Sequence, residues 1–158
     1  MIVFTPPTVP NGHPTNTLFL AGSIEMGKAV HWQKQVVEEL DSFAGCIFNP
    51  RREDFDPSWS ADSPELAAQI NWELDRLGES KTIFFYFQGD TLSPISLLEL
   101  GMTCAWSEDR FGPKVIVVCE PAFWRRTNIV VTCACSRVKV HDSLGAGIEA
   151  LKEIVKNF

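Results

Sequence analysis

Apolar residues in this chain fall into short continuous runs separated by stretches with helical patterning. "TLFLAGS" (17–23), "GCIFNP" (45–50), "KTIFFYF" (81–87) and "PKVIVVC" (113–119) each hold an apolar run of strand length, bounded by turn or polar residues. Runs without polar alternation suit strands covered on both faces. Between the first two lies "GKAVHWQKQVVEELDSF" (27–43), where Val30, Val36, Val37 and Leu40 stand near helical spacing. Ser63-Pro64 followed by Glu65 predicts a helix start with proline at the first helical position, and the helix carries through "AAQINWELDRL" to Gly78. Ser93-Pro94 opens a third helix through "ISLLELGMTCAWSE" (95–108). "IVVTCAC" (129–135) reads as a fifth strand and "SRVKVHD" (136–142) as a short extension or a sixth. The segment 143–158 closes as an amphipathic helix with Ile148, Leu151, Ile154 and Val155 on one face.

Strands alternating with helices at this spacing predict an α/β, flavodoxin-like three-layer sandwich. The expected sheet has about five mostly parallel strands in the order 2-1-3-4-5, with helices on both faces. Residues 1–16 read as an extended leader and 17–158 as a single domain. In such sheets ligands bind beyond the carboxyl ends of the strands, at the point where strand order reverses. That rule selects four loops: "AGSIEMGK", "NPRREDFDPSW", "QGDTLSPISLLELG" and "EPAFWRRTN".

Composition narrows the partners. A chain of 158 residues is one domain with one substantial core. Its net charge of −6 argues against a nucleic-acid polymer, which calls for clustered Lys and Arg. No apolar run is long enough to cross a bilayer, and the proline-broken start lacks a basic n-region. Cys133 and Cys135 form a C-x-C without a second pair, so no zinc site is expected, and the odd count of five cysteines points to a reducing cytoplasm. Neither a metal nor a cofactor is expected.

Within the selected loops, Glu99 stands out: a single carboxylate among Leu97, Leu98 and Leu100, almost two turns into its helix. It is either a nucleophile or base with an elevated pKa, or the partner of a buried arginine or backbone amide. Glu73 and Asp75 on the preceding helix, and Asp90 in the loop before the third, are further carboxylates; solvated helix-face charge and turn capping are their plain alternatives. Gly22, Gly27 and Lys28 suggest a backbone cradle without matching a P-loop. Arg51 and Arg52 are available for an anion, or are ordinary surface cations. Phe55, Trp59, Phe123 and Trp124 can stack on a planar ring, or cover a sheet edge. The histidines form no triad with a nucleophile.

The segments "FLAGSIEMGKAVHWQ", "FNPRREDFDPSW", "AAQINWEL", "FFYFQGDTLSPISLLELG" and "FWRRTNIVV" resemble, in this order, the nucleoside 2-deoxyribosyltransferase family in its "like" branch. The resemblance runs from Leu18 to about Cys133. It implies a double displacement: the glutamate of "ELG", Glu99, attacks the anomeric carbon of a 2′-deoxynucleoside and the base leaves. It also implies a carboxyl group on the helix before the third strand that protonates the leaving base, at Glu73. Asp90 is the nearest match for the residue holding the sugar hydroxyls, and Gly22 and Ser23 for the backbone floor beneath the sugar. Asn128 matches a residue that reaches a neighbouring subunit's site. Phe19 stands where the family carries a tyrosine touching the nucleophile. Arg51, Arg52 and Trp59 complete the expected substrate contacts. The implied partners are a nucleoside or nucleotide and a free nucleobase, in a homodimer or higher homo-oligomer. A nucleotide N-glycoside hydrolase and a non-catalytic nucleoside sensor remain open as alternatives.

Overall fold

The structure, a computed structural model, describes residues 1–52, 56, 58–60 and 62–156. In chain order the elements are β1 (Ile2–Phe4), β2 (Thr17–Gly22), α1 (Trp32–Glu39), β3 (Cys46–Phe48), α2 (Pro64–Glu79), β4 (Thr82–Phe87), α3 (Pro94–Ser107), β5 (Lys114–Cys119), α4 (Arg126–Cys135), β6 (Val140–His141) and α5 (Leu144–Val155). Six strands form one sheet in the order β1-β3-β2-β4-β5-β6. Every pairing is parallel.

Successive side chains of a strand point to opposite faces, and this divides the core in two. Phe19, Ala21, Ile83, Phe85, Phe87, Val117 and Cys119 face α2, α3 and α4, where Trp72, Leu77, Leu100, Cys104, Ile129 and Cys133 meet them. Leu18, Leu20, Phe84, Tyr86, Ile116 and Val118 face α1 and α5, against Trp32, Val36, Leu40, Ile148 and Leu151. Burial on both faces explains why β2 and β4 read as unbroken apolar runs. The fold is therefore the expected flavodoxin-like sandwich, and the order 2-1-3-4-5 is present as the run β3-β2-β4-β5-β6, with β1 added beyond β3.

Two elements differ from the sequence expectation. Within the first sixteen residues, Ile2–Phe4 adds an edge strand in register with Cys46–Phe48, so the sheet has six strands rather than about five. Trp72 Nε1 also ties this segment to α2 by donating to the Thr8 carbonyl at 2.8 Å. The second difference is "IVVTCAC", which is helical in α4 rather than a strand. Its β-branched run carries strand propensity, but packing decides: Ile129 and Cys133, one turn apart, are buried against the core while Val130 and Val131 are exposed. The fifth strand of the 2-1-3-4-5 run is the short edge strand β6.

The caps match the sequence signals. Ser63 Oγ accepts the Leu66 N–H at 3.2 Å and Pro64 occupies the first turn of α2. Ser143 caps α5 in the same way through Ala146. Ser93 departs from this pattern. It enters α3 in a left-handed conformation, φ 47° and ψ 49°, immediately before Pro94, a region disfavoured for a non-glycine residue that precedes proline.

Candidate active site

Four segments converge at the carboxyl ends of β2, β3 and β4: the turn after Gly22, the chain following Phe48, α2, and the opening of α3. Gly22 has φ +137°, and a Cβ there would lie 2.1 Å from the Tyr86 carbonyl oxygen, so only glycine fits between the strands. Its carbonyl accepts the Ser96 hydroxyl at 3.0 Å, which ties the first turn of α3 to the end of β2.

Ser23, with no exposed surface, is a hydrogen-bond hub. Its Oγ lies 2.7 Å from Thr91 Oγ1 and 2.8 Å from Ser93 Oγ, and accepts the Gln88 N–H at 3.0 Å. Its carbonyl accepts Trp32 Nε1 at 2.9 Å. Glu25 completes this arrangement: Oε1 accepts the backbone N–H groups of Leu92 at 2.8 Å and Ser93 at 2.7 Å. Both Glu25 and Ser93 have positive φ, and the clasp between them offsets that strain. Glu120 works similarly on the far side of β4, accepting the Tyr86 hydroxyl at 2.6 Å and the Gly89 N–H at 2.7 Å. The loop leading into α3 is thus pinned by two carboxylates and a buried serine.

Glu99 projects from α3 on the face shared with Ser96 and Thr103 and is 7% exposed. Among the described residues no donor reaches its carboxyl group. Burial, and then the charge of the nearby Glu73 carboxylate, push its pKa from 4.5 to about 8. Glu73, half-buried on α2, is likewise pushed up by burial, with a hydrogen bond from Gln69 opposing the rise. Gln69 Nε2 donates to Glu73 Oε1 at 2.7 Å and to the Pro50 carbonyl at 3.2 Å. Its Oε1 accepts Arg52 Nη1 at 3.4 Å, and the Arg52 guanidinium lies 5.3 Å from the Trp59 ring centroid. Glu99 and Glu73 are thus two interacting carboxyls in a desolvated setting, both pushed up by burial.

The remaining expected residues are distributed around this pair. Phe19 is fully buried in β2 with its ring 6.5 Å from Trp72. The guanidinium of Arg51 donates to the carbonyls of Val30 at 2.8 Å, Ala29 at 2.9 Å and Gly27 at 3.1 Å, and so shapes the loop after β2. Lys28 and Asp75 are exposed. Asp90 is exposed and accepts Gln88 Nε2 at 2.6 Å. Asn128 lies in a groove of about 320 Å³ between α3 and α4 that Leu97, Gly101 and Trp124 also line. Phe123 is buried against Phe87, with ring centroids 5.2 Å apart, whereas Trp124 is half exposed and donates to the Leu92 carbonyl at 3.1 Å. Phe55 lies outside the described residues. The structure therefore links Glu73, Arg52 and Trp59 through Gln69 beside Glu99, holds Gly22, Ser23, Arg51 and Asp90 in the loops of the same sheet edge, and puts Asn128 in the groove between α3 and α4. Sequence reasoning assigned no role to Gln69 or Glu25. For Gln69 a signal was present, since it precedes Glu73 by four residues on a helix.

A family model described as "Nucleoside 2-deoxyribosyltransferase like" matches residues 15–123, more than half of the chain. The chain belongs to this family. Residues 15–123 include both carboxyls, the Ser23 hub and the Arg52–Trp59 segment. Among solved structures, a conserved protein from Enterococcus faecalis V583 superposes with a TM-score of 0.59 at 15% identity, covering 87% of this chain and 98% of that one. The CMP N-glycosidase BcmB of Clostridium botulinum gives a TM-score of 0.52 at 16% identity, with the same coverages of 87% and 98%. At these identities the two structures speak for a shared fold. No curated protein matches the chain in sequence.

Proposed function

We propose that this protein cleaves the N-glycosidic bond of a nucleoside-type substrate through a covalent glycosyl-Glu99 intermediate, passing 2-deoxyribose to another base or to water. The observation that carries this reading is the pair of interacting carboxyls, Glu99 and Glu73, buried at the ligand edge of the sheet. Glycosidic chemistry needs two carboxyl roles: one attacks the anomeric carbon, the other manages the leaving group's proton. A Glu99 carboxylate oxygen forms a bond to C1′ as the C1′–N bond breaks. The electron pair goes to the base nitrogen, which takes its proton from Glu73. In the second half, an acceptor base or water attacks C1′ and returns a proton to Glu73, freeing Glu99. One proton shared by two carboxyls is the inventory this sequence requires.

Family membership and the fold shared with a CMP N-glycosidase support the reaction class. A nucleotide N-glycoside hydrolase is the nearest alternative, and that neighbour's substrate favours it. We place the sugar over Gly22 and Ser23, with Phe19 in the wall behind them, and the base toward Arg52 and Trp59. Arg51 supports the cradle, and Asp90 and Asn128 supply outer contacts. Exposed apolar side chains on the two helices that form the Asn128 groove, Ile95 and Leu98 on α3 and Val131 on α4, fit a homo-oligomer. All five cysteines are free thiols, in keeping with a reducing cytoplasm. No helix among the described residues is long and apolar enough to cross a membrane.

Incubation with deoxyinosine, with and without free adenine, tests the reading. Deoxyadenosine formed only when adenine is present indicates transfer, and hypoxanthine released without adenine indicates hydrolysis. Glu99→Ala should lose both products while keeping its circular-dichroism spectrum. Full activity in that variant would refute the mechanism.

A further inference from the structure

We infer that Gln69 is a positioning residue, one that fixes the orientation and protonation state of the Glu73 carboxyl and couples both to Arg52. The inference rests on the carboxyl-pair reading above and adds to it a third member that touches neither sugar nor base.

Gln69 is 5% exposed, so its amide exchanges few hydrogen bonds with solvent. Its contacts permit one amide orientation. Arg52 has donors only, so the atom facing it at 3.4 Å must be the carbonyl oxygen Oε1. The Pro50 carbonyl has only acceptor capacity, so the atom facing it at 3.2 Å must be Nε2. With both ends fixed, Nε2 meets Glu73 Oε1 at 2.7 Å as a donor. An N–H aimed at a carboxyl oxygen favours the ionised form. A flipped amide would face Glu73 and Pro50 with its oxygen and Arg52 with its NH₂, three mismatched contacts in a buried place.

Among the described residues, the groups around Glu73 are few. From α3 it faces Glu99, whose negative charge would oppose its own. From the segment after β3 it is reached by Arg52 through the Gln69 amide. On α2 itself, Asp75 is exposed, and Arg76 stacks on Phe48 and pairs with Glu79 at 3.0 Å. Gln69 is therefore, among the described residues, the hydrogen-bonding group that favours the ionised form of Glu73. With the amide in place, the ionised form of Glu73 is favoured against the rise that burial causes. Because the same amide is anchored by Arg52, which stacks on Trp59, a ligand that displaces Arg52 loosens Glu73 and moves the proton toward it, where a departing base needs it.

The test removes Glu99 from the titration. In Glu99→Gln, Glu73 titrates alone, and its side-chain carboxyl carbon can be followed by ¹³C NMR with the resonance assigned by Glu73→Gln. Adding Gln69→Met, close in shape and without strong polar atoms, should raise the pH midpoint of Glu73 by about 0.5–1 pH unit, the counterpart of one lost hydrogen bond. Adding Arg52→Met instead should give a smaller rise in the same direction, and it carries the test if the Gln69→Met protein does not fold. Unchanged Glu73 midpoints would overturn the inference. None of these readings needs turnover, so a protein without glycosidic activity could still pass, and an active one could still fail.

Discussion

Around Ser23 the polar groups at the carboxyl end of the sheet satisfy one another, whereas six residues into α3 the Glu99 carboxyl is buried with no described donor. Ser23, Thr91 and Ser93 share hydroxyl contacts, Glu25 closes on two N–H groups, and Arg51 covers three carbonyls. On the α2–α3 side, among the described residues, the two carboxyls have each other and a single amide. The first arrangement holds backbone in place at low electrostatic cost. The second keeps a proton where solvent would not leave one. The proposed chemistry sits on the second side: a hydrogen-bonded frame stands beside two carboxyls of which, among the described residues, Glu73 has one donor and Glu99 none.

The contrast can be broken at several points, the largest effect coming first. Glu99 in the folded chain holds its proton up to about pH 8 rather than 4.5. The folded state therefore binds more protons than the unfolded state across that window. The contribution of Glu99 to stability is fully present below about pH 4.5 and is lost as pH rises through about 8. Glu99→Gln carries no such loss, so its stability relative to the parent protein should climb between pH 4.5 and pH 8 by an amount on the order of 4 kcal/mol. Urea unfolding at four or five pH values measures this, and parallel curves for the two proteins would mean that Glu99 is not held protonated.

Ser23→Ala comes next. It removes the hub oxygen from the Gln88 N–H and from two hydroxyls, at a cost of about 1–3 kcal/mol. That loss should be independent of pH between 5 and 8, because no titrating group is involved, and chemical denaturation at both ends of the range checks it. A pH-dependent loss would show that frame and carboxyl pair are not separate. Asp90→Ala should have the smallest effect, within about 0.5 kcal/mol, since the side chain is exposed and its hydrogen bond goes to Gln88 at the surface. A change in midpoint well beyond that would place Asp90 inside the frame.

The sequence made some of these features readable and hid others, for physical reasons. The sandwich was legible because strands covered on both faces read as unbroken apolar runs, and α2 because Ser63-Pro64 marks its start. Glu99 was legible because a carboxylate flanked by leucines in a helix is costly unless it has a task. The helical state of α4 was not, since Val130 and Val131 project away from the core and imitate strand patterning. The edge strand Ile2–Phe4 was hidden by its three-residue length and the prolines after it. The Glu25 clasp joins residues 67 and 68 positions apart, a closure no local pattern announces. Gln69 was hidden in a different way. Its spacing to Glu73 was in view, but its meaning depends on Pro50 and Arg52 fixing the amide, which only the folded chain brings together.

The most direct measurement of the central claim is intact-protein mass spectrometry after brief exposure to a 2′-deoxy-2′-fluoro nucleoside, whose electron-poor sugar slows breakdown of a glycosyl ester. The account predicts a mass increase of one fluorodeoxyribosyl group, mapped by peptide sequencing to Glu99 and absent from Glu99→Gln. A protein that turns over the parent nucleoside but forms no adduct, or forms one on another residue, would contradict it.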